Sequence, residues 1–264
     1  DKWSENMFLN DFEQRDENAG ANIKLKDMYL KAYLPHYTWK NNKTKSLDLD
    51  KLLEEYICNH EKNKMLLILG QPGVGKSTLI TWIINNLVEN KERVLVYQFA
   101  SELKDIEWNN VDYLVSEILK KLALSYEELD DRTLIIDGFD EIDISNKRNE
   151  ILNHLYRKIV KENGISCFTL IVTCRANYIH SFDDIQCNYI TLEPWDKQQI
   201  QGFCETYGKR IGKKISETTM KNILENKDVL GIPLILYMVL ALNISIEKEG
   251  NIVEIYDRIF SLDK

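Results

Sequence analysis

Gly70-Gln71-Pro72-Gly73-Val74-Gly75-Lys76-Ser77 fits the pattern G-x-x-x-x-G-K-S/T, and it stands between an apolar run at 65–69 and an amphipathic stretch that begins at Ser77. The spacing has a chemical reason. Glycines let the backbone curl until successive N–H groups face inward, where they meet phosphate oxygens, and the helix that follows adds the positive end of its dipole. Lys76 is placed to reach the β- and γ-phosphates, and the Ser77 hydroxyl to ligate Mg²⁺. A plain glycine turn between a strand and a helix requires neither the lysine nor the hydroxyl. The stretch therefore predicts a nucleoside triphosphate site for ATP or ADP with Mg²⁺, held by Gly70, Gln71, Pro72, Gly73, Val74, Gly75, Lys76, Ser77 and Thr78.

Working outward, short apolar runs alternate with helical patterns, which is the signature of a parallel sheet covered on both faces. Strands are expected at 65–69, 94–99, 133–137, 168–173 and 188–192. Between them lie three apolar stripes at helical spacing: Leu79, Ile80, Ile83, Ile84, Leu87 and Val88; Val111, Leu114, Val115, Ile118, Leu119 and Leu122; and Ile151, Leu152, Leu155, Tyr156, Ile159 and Val160. The fold class is α/β: a five-stranded parallel sheet of the P-loop NTPase type, ASCE/AAA+-like, with a C-terminal helical subdomain.

After Glu193-Pro194 the strand signals stop and helical periodicity takes over through Ile200, Phe203, Cys204, Tyr207 and Ile211. Ser216 reads as the N-cap of a further helix, and Pro233 suits the first turn of a helix over 234–246. A last helix starts near Ile252. The expected organisation is a lead-in at 1–60, with a short strand at 28–34 and a helix at 47–58, then a nucleotide-binding domain at 61–194, a helical domain at 195–250 and a further start at 251–264. The chain opens on Asp1 and stops at Lys264 inside a helical pattern, so a piece of something longer is expected.

Composition bounds the partners. With 44% hydrophobic and 29% charged residues, the 264-residue chain is ordinary globular protein. A net charge of −8 argues against a broad nucleic-acid surface, and the basic strip Lys209-Arg210 with Lys213-Lys214 reads as a solvated helix end. Five cysteines without C-x-x-C spacing point away from zinc and disulfide frameworks and toward a reducing, cytoplasmic setting. The apolar stretch 232–242 is too short to span a bilayer and reads as a core helix, so no membrane partner is expected.

Two more strand ends carry chemistry. Thr133-Leu134-Ile135-Ile136-Asp137-Gly138-Phe139-Asp140-Glu141 is an apolar strand that runs into three carboxylates. Asp137 is placed to hold Mg²⁺ through water, and Asp140 or Glu141 to orient or deprotonate an attacking water, with Glu141 preferred. The other reading is a strand followed by an acidic turn. In Leu170-Ile171-Val172-Thr173-Cys174-Arg175 the strand ends in a cation. Arg175 either senses the γ-phosphate and stabilises its developing charge or forms a surface salt bridge.

Together these motifs make the chain resemble the NACHT family of STAND-class P-loop NTPases, the nucleotide switches of NOD-like receptors and their bacterial relatives, across roughly residues 28–260. Asp137-Gly138-Phe139-Asp140-Glu141 looks like the family's Mg²⁺-associated aspartate followed by a small residue and further acids. Thr173-Cys174-Arg175 resembles its sensor segment, usually Thr-Ser-Arg-Pro, with Cys174 for the serine and Ala176 for the proline. Gly231-Ile232-Pro233 is similar to the G-x-P whose proline packs against adenine, and Tyr29 with Tyr33 to the segment that lines the base pocket. Residues 255–260 resemble the start of a winged-helix domain. The resemblance implies slow ATP hydrolysis, a nucleotide state that controls self-association of a larger protein with effector and sensor domains, and an immune-type or antiviral role. An ATP-driven motor or loader of the wider AAA+ group is the alternative.

Overall fold

The computed structural model describes residues 64–90, 95–99, 132–142, 148–157, 168–178, 188–246 and 252–261, with pieces at 36–37 and 45–46 and single positions between 116 and 128. The strand expected at 28–34, the helix at 47–58 and most of the helix at 111–122 lie outside the described residues, as does Tyr29.

The apolar runs form β1 (Lys64–Gly70), β2 (Leu95–Phe99), β3 (Arg132–Asp137), β4 (Phe168–Cys174) and β5 (Asn188–Leu192). They lie parallel in the order β2-β3-β4-β1-β5. Unbroken hydrophobic runs suit strands that are covered on both faces. Leu66, Leu67, Ile68 and Leu69 are fully buried, and so is every residue of β4. The chain returns from β3 to insert β4 between β1 and β3. Leu69 pairs with Cys174 and Ile136 with Val172, so the carboxyl ends of β1, β3 and β4 finish side by side. A two-residue ladder joins His36–Tyr37 to Lys45–Ser46.

Helix α1 (Lys76–Asn90) buries Leu79, Ile80 and Ile83, an i, i+1, i+4 set on one face, and α2 (Arg148–Arg157) buries Ile151 and Leu152. Packing divides the chain into two compact units. Glu193–Lys264 and Gly73–Trp82 fall in one, Tyr37–Pro72 and Ile83–Leu192 in the other.

The unit that holds Glu193–Lys264 is built from α3 (Lys197–Arg210), α4 (Glu217–Glu225), α5 (Lys227–Leu230), α6 (Pro233–Ala241) and α7 (Ile252–Ser261). Local chemistry starts three of these helices. Asp196 and Gln199 exchange hydrogen bonds across the first turn of α3, with Gln199 N donating to Asp196 Oδ1 at 2.8 Å and Asp196 N to Gln199 Oε1 at 2.9 Å. Ser216 caps α4 by accepting from Thr219 N at 3.0 Å, and Pro233 occupies the first turn of α6. Trp195, Phe203, Tyr207, Ile223, Leu236, Tyr237, Ile255 and Ile259 form the core, with the Trp195 and Phe203 rings 4.8 Å apart.

Helix α6 ends five residues earlier than the expected 246. Asn243 adopts a left-handed φ of 51°, its N–H donates to Leu240 O at 3.2 Å, and Ile244 N donates to Val239 O at 2.9 Å. Those two bonds satisfy the last carbonyls of the helix and turn the chain away, a role asparagine fills when glycine is absent. Apolar residues continue through Ile244 and Ile246, which is why periodicity overran the cap. Among the described residues no helix is long and apolar enough to cross a membrane.

Candidate functional site

Gly70 closes β1, and the chain turns through Gln71 and Pro72, both exposed, before α1 begins at Lys76. Gly73 has φ 75° and Gly75 φ 102°, conformations that residues with a Cβ rarely adopt. Such turns make backbone N–H groups converge into an anion-binding concavity, here directly at a helix N-terminus. Val74 is buried and anchors the loop, while Lys76, Ser77 and Thr78 are half-buried in the first turn of α1. Leu79 N donates to Gly75 O at 2.9 Å to open the helix, and Thr81 Oγ1 donates to Ser77 O at 2.9 Å.

Gly73 is constrained a second way. A Cβ there would stand 3.1 Å from both Ile232 Cγ2 and Leu234 Cβ, and Leu234 N donates to Gly73 O at 3.2 Å. Buried Pro233 lies between those two residues in sequence, so the G-x-P turn is braced against the loop. Gly231 is equally confined: a Cβ would meet Lys227 O at 2.6 Å and Trp195 O at 2.8 Å, and Trp195 N donates to Gly231 O at 2.7 Å. Trp195 and Leu234 did not stand out in the sequence. The tryptophan directly after Glu193-Pro194, where the strands give way to helices, was the available signal.

At the carboxyl end of β3, Asp137 is buried to 3% exposure and accepts a hydrogen bond from the hydroxyl of Thr173 on β4. The same hydroxyl oxygen accepts from Gly138 N at 2.8 Å, so one side chain satisfies both a carboxylate and a backbone donor. A buried carboxylate needs such partners. Gly138, at φ 77°, then turns the chain into one 3₁₀ turn, Phe139–Glu141, closed by Glu141 N donating to Gly138 O at 2.8 Å. Phe139 is fully buried and pins this turn, while Glu141 is exposed and its carboxylate lies over Gly138, 3.2 Å from where a Cβ would be.

Asp140 faces the end of β4. Its Oδ1 accepts from Arg175 N at 2.9 Å and its Oδ2 pairs with Arg175 Nε at 2.8 Å. The salt bridge weighed for Arg175 therefore exists, and its partner is one of the two carboxylates considered for water activation. The Asp140 side chain is 4% exposed and that of Arg175 40%, so the buried acid holds a more open cation. Arg175 Cζ also lies 6.0 Å from the centre of the Tyr178 ring. The sheet edge thus brings Asp137, Asp140, Glu141 and Arg175 together, and the loop brings Lys76, Ser77 and Thr78 to the start of α1.

Each unit offers a hard oxygen of the kind Mg²⁺ takes, the Ser77 hydroxyl in one and the Asp137 carboxylate in the other. Among the described residues no group of three or more His, Cys, Asp and Glu forms a protein-only metal cage. Mg²⁺ ordinarily keeps water and substrate phosphate as its remaining ligands, so a sparse protein set fits it.

The family model for the NACHT domain matches residues 64–209. Among curated proteins no match is found. Among solved structures, Cdc6p from Pyrobaculum aerophilum is similar at 18% identity and TM-score 0.48, covering 74% of this chain and 59% of its own. Domain III of the replication initiation protein DnaA from Thermotoga maritima is similar at 18% identity and TM-score 0.47, over 80% of this chain and 88% of its own. AMPPCP-bound DnaA from Aquifex aeolicus is similar at 13% identity and TM-score 0.48, over 73% and 58%. This chain thus spans less than two thirds of the length of Cdc6p and of the Aquifex DnaA chain.

Proposed function

This chain belongs to the NACHT family, and on that premise we propose that it binds ATP with Mg²⁺, hydrolyses it slowly, and serves as the nucleotide-dependent oligomerisation switch of a larger cytoplasmic signalling or defence protein. The observation that carries the proposal is the loop: left-handed glycines at 73 and 75, then Lys76 and Ser77 at a helix start, at the carboxyl end of a buried strand.

In this reading the N–H groups of 73–78 bind the phosphates, and Lys76 neutralises the β- and γ-oxygens. Ser77 and Asp137 hold Mg²⁺, which supplies charge neutralisation for the transferring phosphoryl group. Glu141 orients and accepts a proton from the attacking water, because it is exposed while both Asp140 oxygens are engaged by Arg175. Asp140 in turn fixes the base of the guanidinium, which steadies Arg175 for the γ-phosphate. Pro233 and Tyr29 take the adenine.

Nucleotide-dependent melting tests this. A ligand that binds only the folded state adds RT ln(1 + [L]/Kd), about 2.7 kcal/mol at a hundredfold excess, or about 5–10 °C for a chain of this size. Lys76→Ala should abolish the shift. A wild-type melt unmoved by millimolar ATP and Mg²⁺ would overturn the reading, and Pro233→Ala should weaken adenine nucleotides without affecting inorganic triphosphate.

A further inference from the structure

Thr173 serves two groups with one hydroxyl, and a count of protons gives each its role. It is fully buried on β4, in register with Ile68 on β1 and one residue past the Ile136–Val172 pair that ends the ladder to β3. The Gly138 N–H carries its own proton and donates to Thr173 Oγ1 at 2.8 Å. A threonine hydroxyl has a single proton to give, and Asp137 Oδ1 receives it. With that proton committed and the side chain shut off from solvent, Thr173 acts on a bound group only through Asp137 or through the turn that Gly138 opens.

An aspartate at a strand end is poorly aimed by itself. The terminal torsion of its side chain turns in a broad, two-fold well, and the residue that follows, Gly138, has no side chain to restrain it. Mg²⁺, the cation assigned to Asp137, demands near-octahedral geometry at short distances and gives up water reluctantly. Ca²⁺ accepts a larger and looser shell of oxygens. The aim of the carboxylate therefore matters more to the smaller ion. Partners that orient a metal-holding side chain carry weight for this reason, and their loss ordinarily costs about 10–100-fold in metal affinity.

We propose that Thr173 is a positioning residue for the metal, aiming the Asp137 carboxylate so that it favours Mg²⁺ over larger divalent cations; the inference rests on the assignment of Mg²⁺ to Asp137. The bonds on both sides of the hydroxyl support it. Gly138 N holds the oxygen from one side, and the O–H draws Oδ1 to a fixed point at the carboxyl end of β3. Serine keeps both bonds. Valine abolishes them, although it preserves the β-branched shape that suits a buried strand.

The probe is ADP with a divalent cation, read as the melting temperature of the whole chain in metal-free buffer to which Mg²⁺ or Ca²⁺ is then added. The wild type should show a shift with ADP alone and a further increment as Mg²⁺ rises. Thr173→Val should keep the metal-free shift, which also reports a folded loop, and should need about tenfold more Mg²⁺ for half of the increment. Its Ca²⁺ midpoint should move less. Thr173→Ser should bring the Mg²⁺ midpoint back near that of the wild type. Should the valine variant fail to fold, Thr173→Cys, with a weak S–H donor, takes its place and should still raise the Mg²⁺ midpoint. A threonine with a purely structural part lowers every melt and leaves the midpoints where they were. An unmoved Mg²⁺ midpoint in a folded variant, or a Ca²⁺ midpoint raised as much as that of Mg²⁺, would therefore overturn the inference while the nucleotide site stands. A wild type that responds to ADP but shows no metal increment would overturn the assignment of Asp137 and this inference with it.

Discussion

Asp140 takes two hydrogen bonds from one residue: its Oδ1 accepts the backbone N–H of Arg175 and its Oδ2 the guanidinium Nε, at 2.9 and 2.8 Å. The strand ends of β3 and β4 are thereby tied beyond their last ladder pair. Adjacent Glu141 carries no such burden and stands exposed.

The two acids should therefore separate experimentally. Asp140→Asn replaces a charge-assisted acceptor and should cost about 2 kcal/mol, seen as a melting temperature lower by about 4–8 °C. Glu141→Gln should leave the melt unchanged and slow phosphate release about a hundredfold. If Asp140→Asn slowed turnover as much with an unaltered melt, the roles would be exchanged.

Thr173→Val preserves shape and removes the hydroxyl shared by Asp137 and Gly138. The Asp137 carboxylate and the Gly138 N–H then each lose this hydroxyl as a partner, at an expected cost of about 2–4 kcal/mol. Thr173→Ser should recover most of the stability. Chemical denaturation of the three proteins decides it; equal midpoints would show that water takes over the role.

Gly231→Ala drives a methyl into two backbone carbonyls, at 2.6 and 2.8 Å. Neither can yield as a flexible side chain could, so destabilisation of about 2–3 kcal/mol is expected, in the range of core overpacking. Gly212→Ala meets no atom within 4 Å and should cost only the left-handed backbone strain, about 1–2 kcal/mol. A larger loss at 212 than at 231 in urea titrations would contradict this ranking.

Cys204 should behave as a buried apolar residue. Burial, reinforced by Glu205, pushes its thiol from 9.0 up to about 12. A raised thiol value in the folded state means that its contribution to stability is present in full below pH 9 and is lost as pH climbs through about 12. Stability measured from pH 8 to 11 should thus fall more steeply for the wild type than for Cys204→Ala. Parallel slopes would show that the folded thiol ionises normally. At pH 8 the native Cys204 should resist iodoacetamide and react once denatured.

Most of the sheet was legible because its strands are short stretches rich in apolar residues set between helical patterns, and the phosphate loop is a contiguous motif. The strand at 168–173 was placed to within a residue because it is buried on both faces, and that at 188–192 because Ile190 and Leu192 alternate with half-buried Tyr189 and Thr191 at the sheet edge. The Asp140–Arg175 pairing was not legible. It joins residues 35 apart, and it depends on the register that sets Ile136 beside Val172. The end of α6 was missed because a cap written by one residue, Asn243, competes with an apolar pattern that continues past it. Gly73 was read as a turn glycine, yet Ile232 and Leu234 occupy the space its side chain would need, and nothing local to the loop could report that.

The bond from Leu234 N to Gly73 O reaches further than the two atoms it joins. A peptide unit is planar and trans, so its C=O and the following N–H point in opposite directions. No cis peptide occurs among the described residues, and pinning the Gly73 carbonyl toward Leu234 therefore aims the Val74 N–H the other way. The first turn of α6 thus sets the heading of one phosphate-loop donor through a single rigid plate. Any substitution that shifts Ile232 or Leu234 turns that plate, and with it the donor's aim, without altering a residue of the loop itself.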